Sequence, residues 1–281
     1  MGDVLAGIHA TWEFESDSVL IRFERGIRTP KLFQALRERR VPHEALASVT
    51  LSPGKRGTVV LHAVPRPGAD PLMEAAAGQL KDSGDPYRLV LPAERETLAE
   101  YYADELRAAL TTTEPADRYL VAPPPAPLNF KAYDGKASFD GSKVSFRWFW
   151  TGASSAKWKA GDQRFAVSEL SGVEWRSPEV FDGYLRLLRH GDHEQPTQAD
   201  HDPAAVVFGL GYGPVHESLP FAAAVLAAVR KSGSVPVPVP VGRRDPADIA
   251  ERIRHLGELH EAGLVTDDEF SAKKAELLSE L

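Results

Sequence analysis

The sequence predicts an α+β fold, mainly β, made of two tandem antiparallel barrels, each closed by a C-terminal helix, plus a C-terminal helical hairpin. Three observations predict this fold: an internal repeat, a period-two alternation of apolar residues early in each copy, and a helix-like run late in each copy. The 281 residues suffice for two domains and a small accessory piece. Hydrophobic residues at 43% and charged residues at 26% exclude disorder of the whole chain.

The internal repeat consists of three segments that recur in the same order. FESDSVLIRF matches FDGSKVSFRW, VPHEALASVTL matches FAVSELSGVEW, and DPYRLVL matches DPAAVVF. The matched ranges are, in order, 14–23 with 139–148, 41–51 with 165–175, and 85–91 with 202–208. The first two offsets, 125 and 124 residues, are nearly equal, and the third is 117. The matches occur in the same order in both copies, which indicates duplication.

Each copy starts with strand-like segments and ends with one helix. Trp12 and Phe14, then Val19, Ile21 and Phe23, alternate with polar residues around a turn, as antiparallel strands do. The helix of the first copy is expected to start at the N-cap Thr97 and to bury the face formed by Leu98, Tyr101, Tyr102, Leu106 and Leu110. Strands first and one closing helix last look like a pleckstrin-homology-like barrel.

Two proline-rich stretches set the expected domain boundaries, because proline removes helix and ladder hydrogen bonds. We expect a first repeat at 1–112, a Pro-rich linker at 113–127, a second repeat at 128–231, a Pro-Val linker at 232–246 and the helical hairpin at 247–281.

The hairpin carries an apolar stripe on each of its two helices, which are separated by Gly263. Thr266 and Glu269 form a capping box at the start of the second helix. The stripes contain the predicted partner interface, which is made of Ile253, Leu256, Leu259, Phe270, Leu277 and Leu278. Two short helices cannot bury these side chains alone, so we expect a homo-oligomer or a protein partner.

The last segment, IAERIRHLGELHEAGLVTDDEFSAKKAELLSEL, resembles the short C-terminal domain called SHOCT. The copies, with HATWEF, RGIRTPKL and DPYRLVLP in the first and VSELSGVEW in the second, resemble a tandem domain family of unknown function found in actinobacteria. The resemblance implies a domain without assigned chemistry and a hairpin that acts as an oligomerisation or partner-binding module.

Positive charge is concentrated between Arg22 and Arg56. This segment carries +6 in a chain of net charge −7, which leaves −13 for the remainder. It predicts an anion-binding site formed by Arg25, Arg28, Lys31, Lys55 and Arg56, for lipid headgroups, an acidic or phosphorylated peptide, or nucleic acid. The alternative is ordinary solvated surface, with Arg22 paired to an acid of the second domain.

Two further segments have a structural and a functional interpretation. Residues 30–40 predict a short helix with Thr29 as N-cap, whose apolar side packs into the first barrel or lies on a membrane; that side is formed by Leu32, Phe33 and Leu36. In the second copy, Trp148, Trp150 and Trp158 are expected in the core and between the domains, with a ligand groove as the alternative.

The remaining motifs do not predict catalysis. GLGYG at 209–213 lacks the glycine spacing of a dinucleotide site and is expected to be a strand-to-helix loop. The segment HGDHEQPTQADHD is expected to be a solvated loop rather than a metal site. With no cysteine and no nucleophile motif, we expect no enzyme, no cofactor and no metal.

The function that the sequence predicts is a non-enzymatic scaffold or adaptor acting through the hairpin. The alternative is an anion-binding module that uses the basic segment of the first repeat. The start MGDVLAGIHATW has no basic region before an apolar run, so we expect a cytoplasmic protein, with peripheral contact to an anionic membrane left open. The acidic net charge disfavours nucleic acid as the partner.

Overall fold

The computed structural model describes residues 3–180, 182–191 and 198–234. These residues form four antiparallel sheets and five α-helices, so the expected mainly β, α+β class is confirmed. The hairpin at 247–281 and its interface residues lie outside the described residues.

The first repeat has a four-stranded meander followed by a three-stranded meander. The strands of the first sheet are β1 (Asp3–Ala6), β2 (Ala10–Phe14), β3 (Ser18–Phe23) and β4 (Glu38–Pro42). Those of the second sheet are β5 (Leu46–Pro53), β6 (Thr58–Pro65) and β7 (Arg88–Pro92). The helices are α1 (Lys31–Leu36), α2 (Pro71–Ala76) and α3 (Glu96–Ala109).

The second repeat has the same strand order. Its first sheet contains β8 (Leu128–Lys131), β9 (Gly135–Phe139), β10 (Lys143–Trp148) and β11 (Gln163–Ala166). Its second sheet contains β12 (Leu170–Arg176), β13 (Tyr184–Arg189) and β14 (Ala205–Val207). The helices are α4 (Ser155–Ala160) and α5 (Val215–Ser234).

The strand registers confirm that the two halves are repeats. Phe14 pairs with Val19 in the first hairpin, and Phe139 pairs with Val144 in the equivalent hairpin. The register also shifts at the same place in both second sheets, between Leu46 and Ser48 and between Leu170 and Gly172. A shared irregularity of this kind indicates one duplicated backbone plan.

The Asp-Pro dipeptide before the last strand makes equivalent contacts in the two repeats. Asp85 accepts a hydrogen bond from the amide two residues later at 2.9 Å, and Asp202 accepts the equivalent bond at 2.8 Å. Each carboxylate also meets a basic side chain of the middle strand, His62 at 3.1 Å and Arg186 at 2.9 Å. The two basic residues are 124 positions apart in the sequence, which is one of the offsets between the matched segments.

Helix α3 closes the core of the first repeat with a face that agrees only in part with the expected one. The helix begins at Glu96, and Arg95 rather than Thr97 is its N-cap. Tyr102 and Leu106 are buried as expected, together with Ala99 and Ala103. Leu98 and Tyr101 are exposed, so their expected burial is wrong. The two alanines allow close approach to the sheet, which leaves Leu98 and Tyr101 outside the contact.

Helix α5 does more than close the second repeat, because it also packs on α1 and α2 of the first. Leu32 and Leu72 are buried in the same cluster as Phe221 and Val225 of α5. Burial of a leucine side chain stabilises by about 1.5–3 kcal/mol, so these contacts hold the two repeats together.

A side-chain amide reinforces this inter-repeat contact. Gln79 donates to the carbonyl of Trp175 and accepts from the amide of Ser177, both at 2.9 Å. Residues 113–127, which connect the repeats, pack on the first one: the amide of Ala116 donates to Pro67, and that of Val121 to Ala69. None of the helices described is both long and apolar enough to cross a bilayer.

We expect Gln79→Glu to lower the free energy of unfolding by about 1–3 kcal/mol, because the carboxylate cannot donate to the carbonyl of Trp175. Urea unfolding measures the loss. The matched control is Gln198→Glu at an exposed position, which should leave stability unchanged. Equal stability of both variants would show that the bonds of Gln79 do not hold the repeats together.

Candidate functional site

The predicted anion-binding residues lie in two connections of the first repeat. Arg25, Arg28 and Lys31 belong to the β3–β4 connection and the start of α1, whereas Lys55 and Arg56 form the turn between β5 and β6. All five side chains are exposed, and none takes part in an ion pair within the described residues.

Backbone hydrogen bonds connect the β3–β4 connection to the β1–β2 turn. The amide of Glu24 donates to the carbonyl of His9 at 2.9 Å. The amide of Ile8 then donates to the carbonyl of Val90 in β7 at 2.7 Å. The start of the β3–β4 connection is therefore linked, through the β1–β2 turn, to the middle of β7.

The β5–β6 turn contacts the residue that follows β7. The amide of Ala93, directly after β7, donates to the carbonyl of Gly57 at 3.1 Å. Gly57 follows Lys55 and Arg56 in the turn. The predicted anion-binding residues are therefore divided between two separate connections of the first repeat.

Other basic residues of the same segment are engaged in ion pairs. Arg22 pairs with Glu13 and Glu38 of the first repeat, so the expected pairing with an acid of the second domain is wrong. The β2–β3 and β3–β4 ladders hold these acids beside it. Arg40 pairs with Glu15.

Arg39 is buried rather than available to a ligand. Its guanidinium lies 2.7 Å from Asp70, which also accepts from the Tyr87 hydroxyl at 2.8 Å. Although burial disfavours its charge, Asp70 and Tyr87 raise the pKa of Arg39. Burial, together with Asp70, raises the pKa of Tyr87, which keeps the hydroxyl protonated as a donor.

The helix expected over residues 30–40 is shorter and lacks the expected cap. It ends at Leu36, because Arg37 has a positive φ of 62° and the chain then pairs with β3 as β4. The Thr29 hydroxyl lies 3.3 Å from His9 Nδ1 instead of capping the helix. Phe33 packs in the core of the first repeat, while Leu32 packs in the cluster that contains α5.

A cleft with a volume of about 690 Å³ lies between the repeats. One wall carries Lys31 and Leu32, and the other carries the GLGYG loop and His216 at the start of α5. Lys81 and Glu179 form an ion pair across it at 3.1 Å. Burial lowers the pKa of His216, which favours the neutral imidazole.

The aromatic residues of the second repeat divide into core and surface. Trp148 is buried as expected. Trp150 and Trp158 are exposed, so their expected burial in the core or between the domains is wrong. Trp150 occupies a tight turn, and Trp158 lies on the outer side of α4, because α4 instead buries its Lys157.

The sequence reasoning missed this lysine, which forms a buried ion pair beneath the surface aromatics. The Lys157 ammonium lies 2.5 Å from Asp134 and 5.0 Å from the centre of the Trp148 ring. Burial raises the pKa of Asp134 against the attraction of Lys157, and burial lowers the pKa of Lys157 against the attraction of Asp134. The pair fixes α4 to the β8–β9 turn.

The histidine-rich segment is only partly described, since residues 192–197 lie outside the described ranges. His190 and His201 are exposed, while Asp202 is buried against Arg186. Within the described ranges, no group of three or more His, Asp or Glu side chains could hold a metal ion.

Lys157→Met should lower the free energy of unfolding by about 3–5 kcal/mol, because it leaves the Asp134 carboxylate buried without its partner. In this variant the folded-state pKa of Asp134 lies above its unfolded value. The stability that Asp134 contributes is therefore fully present below the unfolded pKa and is lost as pH rises through the folded pKa. Thermal unfolding across the acidic to neutral range measures both effects.

Lys159→Met, at an exposed position of the same helix, is the matched control and should change stability little. The double variant Lys157→Met with Asp134→Asn should recover much of the loss. A single variant as stable as the wild-type protein at neutral pH would contradict the buried pair.

Comparisons with known families agree with the internal repeat. The model of a domain of unknown function, DUF4429, matches residues 12–107 and 137–226. The model of the short C-terminal domain, SHOCT, matches residues 251–278, which confirms the resemblance of that segment. No curated protein matches the chain. The chain therefore belongs to the DUF4429 family, with two copies of that domain followed by a SHOCT domain.

Proposed function

We propose that this protein is a non-enzymatic scaffold or adaptor that binds a protein partner, or a second copy of itself, through its C-terminal hairpin. The observation that carries the proposal is that each repeat closes its core with its own helix, α3 or α5. The fold of the repeats therefore does not require the apolar stripes of residues 249–281. Those stripes are left to bind another surface.

The order of elements also supports the inference that each repeat is pleckstrin-homology-like. A four-stranded meander is followed by a three-stranded meander and then by a helix. The two sheets of the first repeat contribute to one core, with Trp12 and Ile21 from one sheet and Leu61 and Leu89 from the other. A domain of this type suits a role in binding.

Leu256→Asp combined with Phe270→Asp should convert an oligomer into a monomer, because a charge buried in the interface between the apolar stripes costs several kcal/mol. Light scattering measures the mass of the full chain, of the variant and of a chain that ends at Gly233. The matched control replaces Glu258 and Glu276 with aspartate and should keep the wild-type mass. A wild-type chain that stays monomeric at high concentration would exclude self-association and direct the search to a separate partner.

A second candidate function is anion binding at the basic segment of the first repeat. The observation that favours it is that Arg25, Arg28, Lys31, Lys55 and Arg56 are exposed and form no ion pair with any residue of the described ranges. Exposed cations without acidic partners attract phosphate or carboxylate groups, and such binding weakens as salt is added.

Reversal of Arg25, Arg28, Lys55 and Arg56 to glutamate should abolish retention on heparin, on DNA or on anionic vesicles at low salt, while the fold stays intact. Binding of the wild-type protein should fall steeply with salt. Reversal of Arg118, Lys143, Arg164 and Arg176, which are also exposed, is the control for net charge. Wild-type protein that binds none of these polyanions would refute anion binding.

A further inference from the structure

Three tight turns of the described residues place a large apolar side chain at their second position. In each turn the amide of the fourth residue donates to the carbonyl of the first: Thr29 to Gly26 at 3.1 Å, Gly152 to Phe149 at 3.2 Å and Tyr212 to Gly209 at 2.9 Å. The side chains at the second position are those of Ile27, Trp150 and Leu210. We call these three residues the turn tips.

The turn tips are far more exposed than such side chains usually are. Ile27 and Leu210 are fully exposed, and Trp150 is 80% exposed. The second position of a turn normally holds proline or a polar residue, whose exposure to water carries no hydrophobic penalty. Tyr133 and Tyr212 add exposed aromatic surface next to them, with ring centres 6.3 Å apart. Together they form an apolar surface that the core does not explain.

Contacts connect the Trp150 and Leu210 turns, and the Ile27 turn directly precedes one wall of the cleft that Leu210 lines. The Trp150 turn is attached to the β8–β9 turn, since the amide of Phe149 donates to the carbonyl of Asp134, next to Tyr133. Tyr212 contacts Tyr133, and Leu210 and Tyr212 line the inter-repeat cleft together with Lys31. Lys31 in turn follows the turn of Ile27 by four residues.

The turns are held in place by further hydrogen bonds, so the tips are presented rather than free to fold back. The side-chain amide of Gln34 donates to Gly26 at 3.0 Å and to Thr29 at 2.9 Å. The amide of Ala153 donates to Phe149 at 2.9 Å, and the buried pair of Lys157 and Asp134 anchors the loop that follows. Preorganisation of this kind reduces the entropy lost on binding.

Exposed cations accompany the turn tips in both repeats. Arg25, Arg28 and Lys31 flank Ile27 in the sequence. In the second repeat, Lys131 precedes the β8–β9 turn and Lys159 follows Trp158. All five are exposed, and within the part of the chain described none of them forms an ion pair. Apolar tips beside unpaired cations are complementary to a surface with an apolar interior and anionic headgroups.

We propose that the turn tips insert into the headgroup region of an anionic lipid bilayer, with the flanking cations on the lipid phosphates and carboxylates. Separate tips from three turns can enter a planar bilayer together, whereas they form no single groove for a peptide. Tryptophan and tyrosine also favour the membrane interface. The inference rests on the anion-binding candidate for its cations and extends the site to the second repeat.

The test uses the full chain with vesicles of phosphatidylcholine, with and without phosphatidylserine. Wild-type protein should sediment with the anionic vesicles, and some binding should persist at high salt because apolar insertion is not screened. The variant Ile27→Ser, Trp150→Ser, Leu210→Ser should bind them at least tenfold more weakly and keep its binding to heparin. The matched control, Val4→Ser with Tyr101→Ser, alters exposed apolar residues elsewhere and should bind like the wild-type protein.

Quenching by brominated lipids shows insertion directly. Of the five tryptophans, Trp12, Trp148 and Trp175 are buried, so quenching can come only from the exposed Trp150 and Trp158. Insertion of the turn tips predicts that quenching falls in Trp150→Phe, whereas Trp158→Phe is the matched control and should keep the Trp150 signal. A tip variant that binds vesicles like the wild-type protein, without quenching of Trp150, would overturn insertion and leave anion binding standing. Binding of the wild-type protein to heparin or DNA, but not to vesicles, would also overturn insertion and leave anion binding standing. Binding to none of these would refute both proposals.

Discussion

The packing of α5 on both repeats is the contact on which the described part of the molecule depends. One face of this helix closes the second repeat, where Phe221 packs edge-to-face on Phe130 with ring centres 5.1 Å apart. The same helix buries Leu32 and Leu72 of the first repeat. Without α5 the second sheet pair would lose its cover and the first repeat would expose two leucines, so the repeats are stabilised together.

This shared helix also determines which surfaces are available for function. It holds α1 against the second repeat, so that the start of α1 and the GLGYG loop form opposite walls of one cleft. Lys31 of the first repeat and the loop residues Leu210 and Tyr212 of the second therefore border the same cleft. A duplicated domain gains from such packing a composite surface that neither copy has alone.

The repeat and its strand registers could be predicted because hydrophobic alternation and turn residues are local signals. The offsets of 125 and 124 residues in the sequence recur as equivalent pairs, such as Phe14 with Val19 and Phe139 with Val144. The buried face of α3 could not be predicted, because a choice between Ala99 and Leu98 depends on how closely the sheet approaches. The exposure of Trp150 was missed for a similar reason, since hydrophobicity alone favours burial.

The buried ion pairs were the least predictable part of the site. Lys157 and Asp134 are 23 residues apart and have no distinctive spacing, and a charged residue in a sequence is normally assigned to the surface. The same applies to Arg39, which pairs with Asp70 inside the first repeat although it belongs to a basic run. The exposure of the five anion-site residues could be predicted from the sequence, because cations in loops normally lie at the surface, and their binding of an anion stays a prediction.

The central claim is that the two repeats form a single cooperative body through α5, and hydrogen exchange of the full chain in increasing urea tests it most directly. The slowest amides of β6 and of β13 are expected to open with the same free energy and the same dependence on urea, because α5 closes the core of the second repeat and also buries Leu32 and Leu72 of the first. Separate opening of β13 while β6 stays protected, with different urea dependence, would contradict it.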